Sequence, residues 1–123
     1  MIIWIASYPK SGNTWVRSFL TAYYFCENGV FDINKLNLIE DYPNKQFFKE
    51  KVKQGEIHKH WEASQKDIRD QKKVKFLKTH NSLITAFGND FTKPEYSLGV
   101  IYVIRDPRNV ITSVKNHNDL DSY

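Results

Sequence analysis

A short loop near the start of the chain carries residue types suited to binding an anion. Residues 8–15 read YPKSGNTW, and they lie between an apolar run and a segment with helical spacing. The N–H groups and partial positive charge at a helix N-terminus favour a bound phosphate. Gly12 lets the backbone approach such a group closely. Ser11 and Thr14 offer hydroxyl donors, and Lys10 adds a mobile positive charge that could stabilise a leaving phosphate.

The order of Lys and Gly in this loop differs from that of the nucleoside-triphosphate loop G-x-x-x-x-G-K-[ST]. Lys10 precedes Gly12, and no earlier glycine opens the loop. A kinase or ATPase site is therefore disfavoured. Pro9 and Gly12 could instead merely shape a turn with Lys10 in solvent. The strand expected before the loop and the helix expected after it favour a phosphate site over that alternative.

A second group suited to phosphate follows the most apolar run of the chain, residues 99–104. Arg105 offers a rigid fork of donors that matches phosphate oxygens. Ser113, in the helix expected next, could add a hydroxyl donor. The alternatives are an ion pair between Arg105 and Asp106 or another acid, and an ordinary helix-surface position for Ser113.

A histidine follows a third apolar run, residues 74–78. The imidazole of His80 is suited to accepting a proton near neutral pH. The alternative is a histidine that is simply hydrogen-bonded to a loop carbonyl.

These groups are positioned by an alternation of strands and helices. The patterns predict strands at 2–6, 74–78 and 99–104, a helix from Asn13 to about Cys26, and a helix that Asp106 caps and Pro107 begins. Strands separated by helices favour a parallel sheet with right-handed crossovers. Lys10, His80 and Arg105 would then lie near the carboxyl ends of the strands, where such sheets bind ligands.

The middle of the chain gives weaker patterns. We expect a turn at 41–44, helices at 46–53 and 57–71, a short helix from Ser82 through Phe87, and a loop at 89–96.

Residues 8–15 resemble the 5′-phosphosulfate loop of the sulfotransferase superfamily, which usually reads Y-P-K-S-G-T-T-W, with Asn13 in place of a Thr. The resemblance implies that the cofactor is 3′-phosphoadenosine 5′-phosphosulfate (PAPS), with adenosine 3′,5′-bisphosphate as product. It implies that Lys10 contacts the transferring group, that residues 11–14 (Ser11, Gly12, Asn13 and Thr14) bind the 5′-phosphate, and that Trp15 stacks on adenine. Packing of Trp15 along its own helix face is the alternative.

Residues 102–113, YVIRDPRNVITS, resemble the family's 3′-phosphate motif, an Arg at a strand end with a Ser eight positions later. The resemblance implies that Arg105 and Ser113 hold the 3′-phosphate. Arg108 has no counterpart there and is expected to be solvated.

The segment Lys78-Thr79-His80 resembles the Lys-Thr-His of cytosolic-type sulfotransferases. That likeness implies that His80 is the catalytic base, and Lys78 could help neutralise the sulfuryl oxygens. The reaction implied is sulfuryl transfer to a hydroxyl or amine acceptor whose identity the residues do not indicate.

The resemblance implies an α/β, P-loop-like three-layer fold with a parallel sheet. We interpret residues 1–123 as the N-terminal part of a single sulfotransferase domain, truncated to about three strands plus helices. No Arg-Lys-Gly segment, which closes over the nucleotide in the family, occurs in the chain. The alternative to an active sulfotransferase is therefore a catalytically inactive fragment that binds 3′-phosphoadenosine nucleotides.

The expected strand order places 99–104 between 74–78 and 2–6. The strand at 2–6 would then have a bare edge, and an open apolar edge tends to find a partner. We therefore expect self-association through an exposed sheet edge.

Composition and charge limit the possible partners, cellular compartment and metal sites of the protein. The net charge is +4, and much of the positive charge lies between Lys45 and Lys78 among acidic residues, which indicates a solvated surface rather than a nucleic-acid patch. Cys26 is the only cysteine, so no intramolecular disulfide can form. No signal peptide or membrane helix is expected, and we expect a cytoplasmic protein. His58 and His60 have no matching ligand set, so we expect no metal and assign both to the exposed face of a charged helix.

Overall fold

The computed structural model describes residues 1–49 and 51–117. The strands are β1 (Ile2–Ser7), β2 (Glu40–Asp41), β3 (Lys75–Thr79), β4 (Thr85–Ala86), β5 (Asn89–Asp90) and β6 (Ser97–Val103), and the α-helices are α1 (Asn13–Phe25), α2 (Trp61–Asp70) and α3 (Pro107–His117). Strands β2, β3, β1 and β6 form a parallel sheet in that order, and β4 pairs with β5 as an antiparallel hairpin. The predicted α/β class and parallel sheet are confirmed, with four strands in the sheet rather than about three.

Strand β1 occupies the centre of the sheet, so the predicted strand order is wrong. It pairs with β3 on one side and with β6 on the other, with Ile5 opposite both Lys78 and Ile101. The physical reason is burial on both faces, since Ile2 and Ile5 are fully buried and a central parallel strand must be apolar on both. The bare edge therefore belongs to β6, not to β1.

Helices cover both faces of the sheet. On one face, Trp4 and Leu77 join Trp61 and Ile68 of α2 in the main apolar core. Phe76 points to the opposite face because side chains alternate along a strand, and its ring lies 5.2 Å from that of Tyr24 in α1. The described part of the chain thus has the predicted three layers.

Helix α1 begins and ends where the sequence predicts, but it buries a different face. The apolar spacing of Val16, Phe19, Leu20 and Tyr23 indicates the helix, yet Phe19 and Tyr23 are exposed. The buried residues of α1 are Asn13, Arg17 and Thr21, which repeat every four positions. A polar stripe therefore faces the sheet below the loop.

Two of the weaker helix predictions are wrong. Over 46–53 the chain forms only the end of a 3-10 turn, Lys45–Phe47, and Glu50 lies outside the described residues. Over 82–87 it forms β4 and half of the tight turn to β5, where Phe87 and Gly88 both have positive φ, as such hairpin turns require. The segment 57–71 is helical, a 3-10 stretch Gln54–His60 leading into α2. None of the described helices is both long and apolar enough to cross a membrane.

Candidate functional site

The loop between β1 and α1 has an unusual backbone. Lys10 and Gly12 both have left-handed φ angles, 64° and 103°, and the N–H of Ser11 donates to the carbonyl of Tyr8 at 3.2 Å. The left-handed region costs a residue with a Cβ roughly 1–2 kcal/mol. Strain of this kind persists at sites where it shapes a binding surface. Gly12 meets the requirement without that cost.

The start of α1 presents free donors to this loop. The N–H groups of Trp15 and Val16 donate to the carbonyl of Gly12, at 3.0 and 3.4 Å. The N–H groups of Asn13 and Thr14 come too early in the helix to have an intrahelical acceptor. Gly12, at the N-cap, has no side chain to satisfy them. These main-chain groups are therefore suited to an anion, as predicted for residues 11–14.

The side chain of Asn13 has a different task. It is 5% exposed, and its amide donates to the carbonyl of Ile5 at 3.0 Å and to Ser7 Oγ at 3.1 Å. It thus fastens the start of α1 to the end of β1. Only the main chain of Asn13 is placed for the predicted phosphate contact.

Arg105 lies beside the loop, although 95 positions separate it from Lys10. Its Nη1 donates to the carbonyl oxygen of Lys10 at 3.1 Å. Strand pairing explains the closeness, because Ser7 lies opposite Val103 at the ends of β1 and β6. The predicted 5′-phosphate and 3′-phosphate motifs therefore meet at one edge of the sheet.

The acid next to Arg105 has another partner. Asp106 caps α3 through the N–H of Arg108, at 2.9 Å, and binds the guanidinium of Arg108 at 2.7 Å. Hydrogen bonds from the Arg108 side chain, and then from its backbone, lower the pKa of Asp106. The alternative of an ion pair between Arg105 and Asp106 is not favoured. Arg108 is the partner of Asp106, and its side chain is exposed to solvent as expected.

A groove of about 300 Å³ separates the loop from α3. Its walls include Tyr8 and Ser11 on one side, Arg105 at its end, and Val110 and Ile111 on the other. Ser113 lies farther along α3 and is half-buried.

Trp15 lies on the outer face of α1. Its side chain is 82% exposed, and that of Phe19, one turn later, is 71% exposed. Packing along the helix therefore leaves the indole largely open to solvent. A free aromatic face of this kind is what stacking on a nucleotide base requires.

His80 lies directly after β3 and is tied to the end of β1. Its Nδ1 lies 2.8 Å from the carbonyl oxygen of Ser7 and 3.4 Å from Ser7 Oγ. A carbonyl oxygen only accepts, so in the neutral ring Nδ1 carries the proton and Nε2 has the lone pair. A hydrogen bond to a carbonyl is the alternative role expected for His80. Because this bond uses Nδ1, the ring can still accept a proton at Nε2.

Lys78 is engaged elsewhere. Its Nζ lies 3.2 Å from Asp41 Oδ1, which also lies 3.4 Å from Nη1 of Arg17. Arg17 also donates to the carbonyls of Leu36 and Ile39, at 3.2 and 2.6 Å. Burial lowers the pKa of Arg17, and the charge of Asp41 opposes that effect. The Lys78 ammonium is thus paired with an acid in this structure.

Arg17 and Asp41 were not predicted from the sequence. A signal was available in the four-residue spacing of Asn13, Arg17 and Thr21, which marks a polar helix face. Nothing in the sequence around Asp41 indicates that its short strand lies beside Lys78, because that pairing depends on the tertiary fold.

His58 and His60 are half-buried in a 3-10 segment rather than exposed on a charged helix. The ring of His58 lies 5.0 Å from that of Phe87, and the ring of His60 lies 5.9 Å from that of Phe48. Among residues 1–49 and 51–117, no three His, Cys, Asp or Glu side chains are grouped so that they could hold a metal ion.

Comparison with known proteins gives one match. The family model described as "Sulfotransferase domain" matches residues 2–121, a span that includes the loop, His80, Arg105 and Ser113. Neither a curated protein nor a solved structure matches the chain.

Proposed function

Because the chain belongs to the sulfotransferase domain family, a family of transferases, we propose that it binds PAPS and transfers the sulfuryl group to a hydroxyl or amine acceptor. The observation that carries this proposal is the hydrogen bond from Arg105 to the carbonyl of Lys10. It joins two motifs that are suited to the two phosphate positions of one nucleotide.

The residues at this edge fit the nucleotide. The main-chain N–H groups of Asn13 and Thr14 and the hydroxyls of Ser11 and Thr14 bind the 5′-phosphate, and Gly12 lets the backbone approach it closely. Arg105 has donors beyond the one that it gives to Lys10, and these bind the 3′-phosphate together with the hydroxyl of Ser113. The exposed indole of Trp15 stacks on adenine.

PAPS supplies the sulfuryl group when it is bound. The acceptor oxygen or nitrogen bonds to sulfur while the bond from sulfur to the phosphate oxygen breaks. His80 accepts the acceptor's proton at Nε2, the ring nitrogen that is not bonded to Ser7. Lys10 stabilises the negative charge that grows on the leaving phosphate.

A second candidate function is nucleotide binding without transfer. The position of Lys78 favours it, because the ammonium is paired with Asp41 and so does not neutralise the sulfuryl oxygens. Lys78 is not among the groups assigned to nucleotide binding. A protein with this second function would therefore still bind the nucleotide but would not transfer the sulfuryl group.

We further propose that the protein is cytoplasmic and self-associates. A single cysteine fits a reducing compartment. Among the described residues, strand β6 pairs on one side only, and its residues Leu98, Val100 and Tyr102 are exposed. The strand contains no charged residue or proline, the features with which edge strands normally avoid pairing.

One experiment separates transfer from binding. Purified protein is incubated with sulfur-labelled PAPS and a panel of phenols, alcohols and amines, beside His80→Ala and the control His58→Ala. Labelled product that depends on His80 but not on His58 supports the transferase. Nucleotide binding without any labelled product supports the second candidate, and absence of both contradicts the proposal.

A further inference from the structure

A buried hydrogen-bond chain joins the start of α1 to the proposed base. We infer that Asn13 and Ser7 are positioning residues for His80: together they hold its proton on Nδ1 and leave Nε2 free toward the site. The catalytic part of this inference rests on the proposed function, whereas the tautomer that it requires is a property of the unliganded protein.

The first link is between Asn13 and Ser7. Both side chains are buried, at 5% and 4% exposure. The two amide hydrogens of Asn13 are used, one on the carbonyl of Ile5 at 3.0 Å and one on Ser7 Oγ at 3.1 Å. These two bonds fix the orientation of the amide, and the second keeps Ser7 Oγ in one position as an acceptor.

The second link is between Ser7 and His80. Nδ1 lies 2.8 Å from the carbonyl oxygen of Ser7 and 3.4 Å from its hydroxyl. An unprotonated Nδ1 at 2.8 Å would place two lone pairs against each other, so the geometry requires the proton on Nδ1. Ser7 Oγ, held by Asn13, is a second and weaker acceptor on the same side of the ring.

The residue type at position 13 matters to this chain of hydrogen bonds. A Thr, the usual residue in the motif that this loop resembles, has one hydroxyl hydrogen and could not donate to both Ile5 and Ser7. The Oδ1 of Asn13 is buried without a hydrogen-bond partner among the described residues. Such an unpaired acceptor lowers stability, whereas the two donors of the same amide hold Ile5 and Ser7 in place.

The test measures the tautomer of His80 directly. The ¹⁵N shifts of the ring, read by long-range proton–nitrogen correlation at a pH where the ring is neutral, give the populations of the two tautomers. The variants are Asn13→Thr and Ser7→Ala, so that the failure of one to fold leaves the other. His58 and His60 in the same spectra report whether the fold is intact.

We expect wild-type His80 to be mainly in the Nδ1–H form, the minor form of a free imidazole in water. Because the main-chain carbonyl of Ser7 remains in both variants, each should shift the ring only partly toward the Nε2–H form, while the signals of His58 and His60 stay in place. A wild-type ring mainly in the Nε2–H form, or variants with the wild-type tautomer ratio, would overturn the inference and leave Asn13 and Ser7 as purely structural.

Turnover gives a second reading. In Ser7→Ala we expect kcat to fall about tenfold with the KM for PAPS unchanged, less than the roughly 10²–10⁴ that a general base contributes. A rise in KM at constant kcat would contradict positioning. If the tautomer behaves as expected but no transfer occurs, the proposed function fails and the assignment of the hydrogen-bond chain stands.

Discussion

The guanidinium of Arg105 donates a hydrogen bond to the carbonyl oxygen of Lys10, with 3.1 Å between Nη1 and O. The bond connects the loop after β1 with the end of β6, which are neighbouring strands. The neighbouring acid, Asp106, is bound to Arg108 rather than to Arg105. Arg105 therefore supports the loop that is proposed to bind one phosphate, and its other donors are suited to a second.

Replacing Arg105 with Ala should lower the affinity for adenosine 3′,5′-bisphosphate by about 10- to 100-fold, because a hydrogen bond to a charged group contributes roughly 1.5–3 kcal/mol. The affinity for 5′-AMP should fall less, since 5′-AMP has no 3′-phosphate and loses only the support that Arg105 gives to the loop. Calorimetric titration checks both values. The matched control is Lys66→Ala, which removes one positive charge from the exposed side of α2. Equal losses for the two nucleotides would show that Arg105 acts only by supporting the loop.

Replacing Trp15 with Ala should weaken bisphosphate binding by about 5- to 100-fold, since stacking of a base on an aromatic ring contributes roughly 1–3 kcal/mol. The free energy of unfolding should change by no more than about 0.5 kcal/mol, because the indole is exposed. Phe19→Ala, an equally exposed aromatic one turn later, is the control and should bind normally. Urea denaturation and calorimetry together give both quantities, and a Trp15 variant that binds like wild type would remove the stacking role.

Stability should fall above about pH 10 in part because of Tyr42. Burial raises the pKa of Tyr42 from its ordinary value of 10.0, and its hydrogen bonds with Ser64 and Gln65 only partly oppose this. At high pH the unfolded chain then loses this proton before the folded chain does, so the unfolded state is favoured as pH rises. Denaturation midpoints of wild type and Tyr42→Phe, measured from pH 8 to 11, should converge as pH rises. Parallel curves would show that Tyr42 does not contribute.

Self-association through β6 should be prevented by Val100→Lys. Val100 is 61% exposed at the middle of the edge strand, and a lysine there opposes strand pairing. Sedimentation velocity at micromolar concentrations should give a dimer or larger species for wild type and a monomer for the variant. The control is Leu83→Lys, which changes an exposed apolar residue outside the parallel sheet. A wild-type monomer would contradict the proposal.

The local elements were predictable because their signals lie within a few residues. The apolar run 2–6, the loop with Gly12 and the capping pair Asp106 and Pro107 each specify backbone conformation locally, and the structure has β1, α1 and α3 at those places. The strand order was not predictable in this way. It depends on which strand is apolar enough to be buried on both faces, and this can be decided only by comparing all the strands with one another.

The same distinction applies within the site. Lys10, Arg105 and His80 could be selected because strand ends of a parallel sheet meet at one edge. The pairing of Lys78 with Asp41 could not be selected, because it depends on a two-residue strand beside β3. The face of α1 that is buried depends on the rotation of the helix about its axis. The apolar spacing of Phe19 and Tyr23 predicts the wrong face, so the inward direction of the Asn13 side chain could not be predicted.

The central claim is that the loop around Lys10 and the end of β6 at Arg105 bind the two phosphates of one adenosine nucleotide. The most direct measurement is a calorimetric comparison of adenosine 3′,5′-bisphosphate with adenosine 2′,5′-bisphosphate, which has the same charge, and with ATP and 5′-AMP. We predict the tightest binding for the 3′,5′ isomer and its loss in Lys10→Ala. Equal affinity for the two bisphosphates, or no binding of either, would contradict the account.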